Sequence, residues 1–513
     1  MSSPAKYLVW PQRVLAGVAT LATIQAIGIA AWFWPGSMPI TDTSGVWITL
    51  ADDAARGDLY RPLQSDLGTG GTRYMPLFFS LHAAAINLGF PLVGSGVALT
   101  LISALLFVGI LGFLLRQLGV APTIAWPATL LMTGTVTFGM MSLTVRGDFL
   151  AAALNLAGVA LAFSAQPTDR PSRWVWAGIF FGAAFLTKLT TVFGLVAVVA
   201  WLVFQSKPRG IGRLLMGFGL TAGLGLSAAY FFSDGRIWES FRTVASGGTD
   251  SATWWTGPTR FFATIVRDPL LLILTIPAAM LSMAVVRTSD RLVGWLLVTT
   301  LAVTLVIFTS PGTGANHLLD IAALVVMVLA LALKSGGHSA RWTGVTAGIL
   351  GIGIVVTWFP GVPSIPKFFQ KIGRPAMAAP VEFLQLTGPA AQPVLAENPL
   401  IPLLVSERPF VADAFNLNLM SQANDDFRNL FEERLNSGYF GTVVLKALPG
   451  KFARDVTDPM DPLLTEPLVD LVAHDHLITL FSAQIQSQYR VVFVRRPYVY
   501  LLRNDLPFAP LQP

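Results

Sequence analysis

Residues 39–76 read PITDTSGVWITLADDAARGDLYRPLQSDLGTGGTRYMP. Asp42, Asp52, Asp53, Asp58 and Asp66 all fall inside this stretch, and the chain on either side, residues 14–34 and 77–90, is apolar. A charged loop held between apolar segments is either a solvated connector or the floor of a reaction site. The second reading is preferred because later loops on the same side bring further charges to it.

Working outward, the composition sets the class. Hydrophobic residues make up 53% of the 513 residues and charged residues 12%, about half the share of a soluble domain. The mean hydropathy is +0.62. These values describe an integral membrane protein. There is no cysteine, which excludes a disulfide framework and a cysteine metal site. The formal charge of +6 points to cytoplasmic loops rich in Lys and Arg, not to nucleic acid.

Lys6 and Arg13 precede residues 14–34, which are about the twenty residues needed to span. This is longer than a signal-peptide core, and it ends in Trp32, Trp34 and Pro35, so we read a first span with a cytoplasmic N-terminus. Residues 77–90 are too short to cross and are expected as an interfacial or re-entrant helix. Apolar runs then follow at 93–115, 121–141, 149–163, 174–186, 189–204, 214–232, 270–286, 292–309, 321–333 and 342–359. They give about eleven transmembrane helices, with residues 233–269 as a large external loop. Lys and Arg in the cytoplasmic loops fit the alternation, and an odd count leaves the C-terminus outside.

Past about residue 361 the chain becomes charged and Pro-punctuated. The β-rich runs PVLAE, PLLVSE, GTVVLKAL, YRVVFVRR and YVYLLR flank NDDFRNLFEERLNS, whose apolar residues recur at helical spacing. The expected architecture is a polytopic α-helical membrane domain over residues 1–360, with a first external loop at 35–76. A small extracytoplasmic α/β domain follows over 361–513.

The external junctions present Asp42, Asp52 and Asp53; Arg73 and Tyr74; Arg146 and Asp148; Lys188; and Asn316, His317 and Asp320. Charges near membrane depth are usually paired or functional. Arg146 and Lys188 suit a phosphate, one by bidentate hydrogen bonds and the other as a point charge. Asp42 suits a proton acceptor for an attacking hydroxyl or amine. Each has a plainer reading. Asp42 in TDTSGVW makes a helix N-cap, and Asp52 with Asp53 makes the solvated face of an interfacial helix turning Trp47, Leu50 and Leu59 to lipid. Arg146 and Asp148 pair with each other, Lys188 snorkels, and Arg73 with Tyr74 anchors at the interface. His317 with Asp320 makes a weak metal suggestion.

The order of RYMPLFFSLHAAAINLG, RQLG, TVRGDFLAAALNLAGVALAF, GAAFLTKLTTVFGL and GANHLLDIAALV resembles the polyprenyl-phosphate-sugar-dependent membrane glycosyltransferases of the GT-C fold. The nearest are the bacterial relatives of protein O-mannosyltransferases and aminoarabinose transferases. The resemblance covers roughly residues 14–333. It implies a multi-pass protein of the bacterial inner membrane that moves a sugar from a polyprenyl-phosphate donor to a glycan, lipid or protein acceptor. It implies Asp42 as catalytic base, Asp148 as a second acid in the site and Lys188 at the donor phosphate. Many relatives carry two adjacent acids in the first loop. Here Thr43 follows Asp42 and the pair Asp52-Asp53 comes ten residues later, so both the base and a divalent metal stay open. A transporter or flippase for a lipid-linked sugar is the competing reading, but no internal repeat of the kind transporters show is visible. A membrane scaffold would not need the charged set at helix ends.

Overall fold

The computed structural model describes residues 13–28 apart from 14, 18 and 25, then 41–66, 68–166, 170–244, 249, 251–334, 377–448, 451, 455–456, 461–473 and 476–508. The first helix, α1, is Leu15–Gly28. The acidic stretch is then itself a helix, α2, Asp42–Ala55. Thr41 caps it, its Oγ1 accepting from the Ser44 amide at 3.3 Å. Asp42 sits in the first turn, where a carboxylate complements the helix dipole. A positive φ at Gly57 turns the chain into a minimal hairpin, β1 (Gln64–Ser65) and β2 (Gly68–Thr69).

The expectation that α2 lies at the lipid interface is overturned. Trp47 and Leu50 are only 4% and 3% exposed. They pack against α3, Pro76–Asn87, and the C-terminal part of the chain. Asp52 and Asp53 are likewise buried, not a solvated face. Helix α3 starts on a proline at its first position, where the missing amide costs nothing. Its twelve residues reach about 18 Å, well short of a bilayer core.

Then come α4 (Leu92–Gln117), α5 (Pro122–Leu131) and α6 (Val136–Ser142), followed by α7 (Asp148–Ala165), α8 (Pro171–Thr187), α9 (Phe193–Phe204) and α10 (Pro208–Phe232). Residues 233–269, expected as a loop, form two helices, α11 (Arg236–Val244) and α12 (Ser251–Val266). The bundle closes with α13 (Pro269–Thr288), α14 (Arg291–Ile307), one 3-10 turn at Ala315–Leu318, and α15 (Leu319–Lys334). Among the described residues, five helices are long and apolar enough to cross a membrane, and α5 with α6, bent by 74°, would make a sixth. Parts of the eleven-span reading, residues 29–34 and 342–359, lie outside the described residues.

The helices pack through small residues, as membrane helices do when lipid is as apolar as the side chains. A Cβ at Gly178 of α8 would meet the Leu214 carbonyl at 2.1 Å, and one at Gly217 of α10 would meet Val175 O at 2.2 Å. Asp268 ties α6 to the start of α13, accepting from Thr137 N at 2.8 Å and Leu271 N at 3.2 Å.

Residues 377–508 carry a four-stranded sheet in the order β3 (Val394–Ala396), β4 (Thr442–Lys446), β6 (Tyr498–Arg503), β5 (Tyr489–Arg495), with β3 parallel to β4 and the other pairs antiparallel. Alternation divides the strands cleanly. Tyr498, Tyr500 and Leu502 face a core shared with α2 and α3, whereas Val499 and Leu501 face Leu417, Phe431 and Phe481. The run NDDFRNLFEERLNS is helical over Asp425–Asn436, as its spacing predicts. PLLVSE is not a strand. It falls at the end of a short helix, Leu400–Leu404, because Asn398 Oδ1 accepts from Leu400 N at 3.0 Å and turns three apolar side chains inward.

Candidate active site

A cavity of about 410 Å³ opens where α2, the extended residues 71–75, the starts of α7 and α12, the end of α8 and the α14–α15 connection meet. Its polar bank carries Arg73, Tyr74, Arg146, Asp148, Lys188, Asn316 and His317. Trp47, Phe241, Trp254, Val306 and Ile307 line it as well. A lining that combines charged with aromatic and aliphatic groups suits an amphiphile.

Asp148 organises the polar bank. It is the first residue of α7 and only 6% exposed. Its Oδ1 accepts from Lys188 Nζ at 2.5 Å and from Asn316 Nδ2 at 2.8 Å. Arg146 Nε lies 3.2 Å from Oδ2 but is not aligned for a hydrogen bond, so Asp148 orders the guanidinium without consuming its donors. Lys188 is placed by the break in α8. The helix stops at Thr187, Lys188 is extended at φ −153°, and Thr191 Oγ1 donates to Lys188 O.

Arg73 and Tyr74 ride on residues 71–75. Tyr60 Oη donates to Tyr74 O at 2.9 Å, and the Tyr74 ring lies 4.5 Å from Trp47. Burial pushes the Tyr74 hydroxyl up to about 12, so it stays protonated. The Arg73 guanidinium lies over Phe415 at 4.9 Å. A side chain at Gly312 would meet Arg73 and Phe415, so the loop passes close beneath them there.

Seven of the residues singled out from sequence thus meet in one cavity. Asp42, Asp52 and Asp53 do not line it. Asp42 is not the N-cap, a place taken by Thr41, and its Oδ2 faces Lys446 Nζ of β4 at 3.1 Å. Asp52 accepts from Arg56 Nε at 2.8 Å. Asp53 accepts from Arg61 Nε and Nη2 at 2.7 and 2.8 Å, and from Arg408 Nε at 3.0 Å. These two acids fasten α2 rather than face a ligand.

Sequence reasoning missed what residues 377–508 add. Phe415 sits under Arg73 and edge-on to His476 at 5.4 Å. Asp413, buried beside them, is pushed up by burial against the pull of Arg73 and His476. His476 is pushed down by burial, with Asp413, Asp42 and Lys446 around it. No spacing joins these residues to the early loop. As to a divalent ion, no group of three His, Cys, Asp or Glu side chains converges among the described residues. Asp148 already faces two cations and an amide. The described residues around the cavity do not fit a metal.

Against known proteins, residues 78–230 match the family described as dolichyl-phosphate-mannose-protein mannosyltransferase. That range holds Arg146, Asp148 and Lys188. ArnT from Cupriavidus metallidurans bound to undecaprenyl phosphate superposes with a TM-score of 0.57 at 12% identity, over 94% of this chain and 98% of that one. The GT-C fold is therefore shown. The apo form of the same ArnT gives 0.54 at 12% identity over 94% and 97%. The Archaeoglobus fulgidus oligosaccharyltransferase in complex with Zn and sulfate gives 0.51 at 12% identity, over 84% of this chain and 68% of that one. A comparison with curated protein sequences finds no match. The resemblance read from the early motifs holds at the level of fold, and the chain is a multi-pass membrane protein.

Proposed function

We propose that this protein is a membrane glycosyltransferase that moves a sugar from a polyprenyl-phosphate donor to a hydroxyl or amine of an envelope glycan, lipid or protein, on the external face of the bacterial inner membrane. The observation that carries this is the mixed lining of the cavity, where Arg73, Arg146 and Lys188 occur together with Trp254, Phe241, Val306 and Ile307. That pairing matches a phosphate joined to an isoprenoid. The neighbouring fold solved with undecaprenyl phosphate supports the donor class.

In this reading Arg146 and Lys188 hold the donor phosphate, oriented beforehand by Asp148 and Asn316. The acceptor oxygen or nitrogen attacks the anomeric carbon. The bond from that carbon to the phosphate oxygen breaks, and its electron pair leaves on the polyprenyl phosphate, where the two cations stabilise the growing charge. Asp42 takes the acceptor proton. It does not line the cavity itself but stands at the start of the helix whose Trp47 does, on the side from which the acceptor would approach, and its carboxylate is 30% exposed, held by Lys446. Asp148 is a poor candidate for that step because its oxygens already face cations. Residues 377–508 form the external α/β domain, which reaches the site through Phe415 beneath Arg73.

Lys188→Ala and Arg146→Ala are each expected to raise KM for a polyprenyl-phosphate sugar about ten- to a hundredfold, the cost of one charge-assisted hydrogen bond. Detergent-solubilised protein and a radiolabelled donor provide the assay. Unchanged donor kinetics in both folded variants would remove the cavity from the reaction. Appearance of glycosylated acceptor together with free polyprenyl phosphate separates transfer from flipping, which releases neither.

The topology has its own test. A reporter fused after Pro513 is expected to be active only in the external compartment. Cytoplasmic activity would put Lys446 and the sheet on the wrong side of the membrane for this mechanism.

A further inference from the structure

A second cavity, of about 650 Å³, lies along α7 between α4 and α8. From α7 it takes Leu150, Ala153, Leu154, Ala157, Ala160, Leu161 and Ser164. At 3.6 residues per turn these lie within about 60° of the direction opposite Asp148. The groove therefore runs on the far face of α7 and does not continue the catalytic cavity. It exists because α7 places alanines where its neighbours are large, leaving a trough between Leu106, Ile110 and Phe113 of α4 and Phe180 of α8. Leu106 and Phe113 are 49% and 55% exposed, so the trough opens to lipid.

Its polar groups gather toward one end. Gln117 of α4, Ser164 of α7 and Arg173 of α8 stand at the end away from Asp148. Arg173 Nη1 donates to Ser164 O at 2.7 Å, which leaves its other donors. Gln117 Oε1 is buried with no hydrogen-bond partner, a state that costs free energy unless a donor reaches it. From Leu150 to Ser164 the trough spans about 21 Å, against about 15 Å for half a bilayer core. A chain of one leaflet, entering from the Arg173 end, fills most of it.

We infer that this groove binds one anionic glycerophospholipid from the leaflet opposite the catalytic cavity, with an acyl chain on the alanine face of α7. Its phosphate sits on Arg173, and a headgroup hydroxyl donates to Gln117 Oε1. Arg116 and Arg170, at the same end, bias the site toward net negative charge. A phosphatidylcholine headgroup lacks the donor that Gln117 needs. Phosphatidylethanolamine has the donor but no net charge. No residue of the proposed reaction takes part, so the site stands or falls apart from it.

The test uses full-length protein in detergent, stripped of lipid and offered phosphatidylglycerol, phosphatidylethanolamine or phosphatidylcholine. Native mass spectrometry counts the lipid retained. One phosphatidylglycerol is expected to stay bound, about tenfold in preference to phosphatidylcholine. Arg173→Ala is expected to lower retention about tenfold, and Gln117→Leu to narrow the preference over phosphatidylcholine to the part that charge supplies. Ala157→Phe, which fills the trough, is expected to abolish retention. Leu106→Trp crowds the trough from its exposed rim and gives the same readout should Ala157→Phe not fold. Equal retention of the three lipids, or retention unchanged by both trough-filling variants, overturns the inference.

Discussion

Asp42→Asn is expected to fold, to bind the donor and to lose about 10²–10⁴-fold in turnover. The amide keeps the size of the carboxylate at the first turn of α2, and the cap there is Thr41, so the helix start survives. What disappears is the group that receives the acceptor proton and the charge that faces Lys446 at 3.1 Å. Lys446→Ala is expected to lower turnover less, because the carboxylate remains but loses the cation that fixes its direction. Donor affinity is expected to hold in both variants, since Arg146 and Lys188 are untouched. One transfer assay on Asp42→Asn, Lys446→Ala and Asp52→Asn decides it. Near-normal turnover in Asp42→Asn, with donor binding intact, would move the base to another acid, and buried Asp413 beside Arg73 and His476 is the first to examine.

Asp53→Ala acts by a different route, on stability. Asp53 is 1% exposed and Arg61 5%, and Arg408 shares the same carboxylate. Arg408 also reaches Asp58 at 2.7 Å, and Arg61 Nη1 donates to Pro409 O at 2.7 Å. Removing Asp53 leaves a buried guanidinium without its counter-charge, which costs about 3–5 kcal/mol. Thermal unfolding in detergent is expected to show a large drop, and proteolysis within residues 377–508 to speed up, because Arg408 is one of the ties from α2 to that region. Asp52→Ala is expected to cost at most about 1 kcal/mol, since its partner Arg56 is 56% exposed. Equal stability of the two variants would mean that the Asp53 cluster does not hold α2 in place.

Much of the polar lining of the cavity was legible in the chain. Arg146, Asp148, Lys188, Asn316 and His317 sit where apolar runs end, and a charge at such a junction must find a partner or a function. The burial of Asp52 and Asp53 was not legible. In isolation, WITLADDAARGDLY has the pattern of a surface helix, apolar on one side and acidic on the other. The partners that reverse that reading, Arg61 eight residues on and Arg408 more than three hundred residues away, carry no periodic signal. PLLVSE failed for a related reason. Short apolar runs do not distinguish strand from helix, and there the Asn398 side chain decided.

The sequence by itself determined that the chain is a membrane protein, where most of its helices begin and end, and which charges lie at helix ends. These follow from hydropathy, length and helix-start chemistry, all of them local. Only the tertiary structure decided which charges meet. It brought Arg73, Arg146, Asp148, Lys188 and His317 to one cavity, set Asp42 against Lys446, and buried α2 beneath the sheet. Those outcomes depend on packing between segments far apart in the chain. A carboxylate's role follows from the cations that surround it after folding, not from its neighbours in sequence.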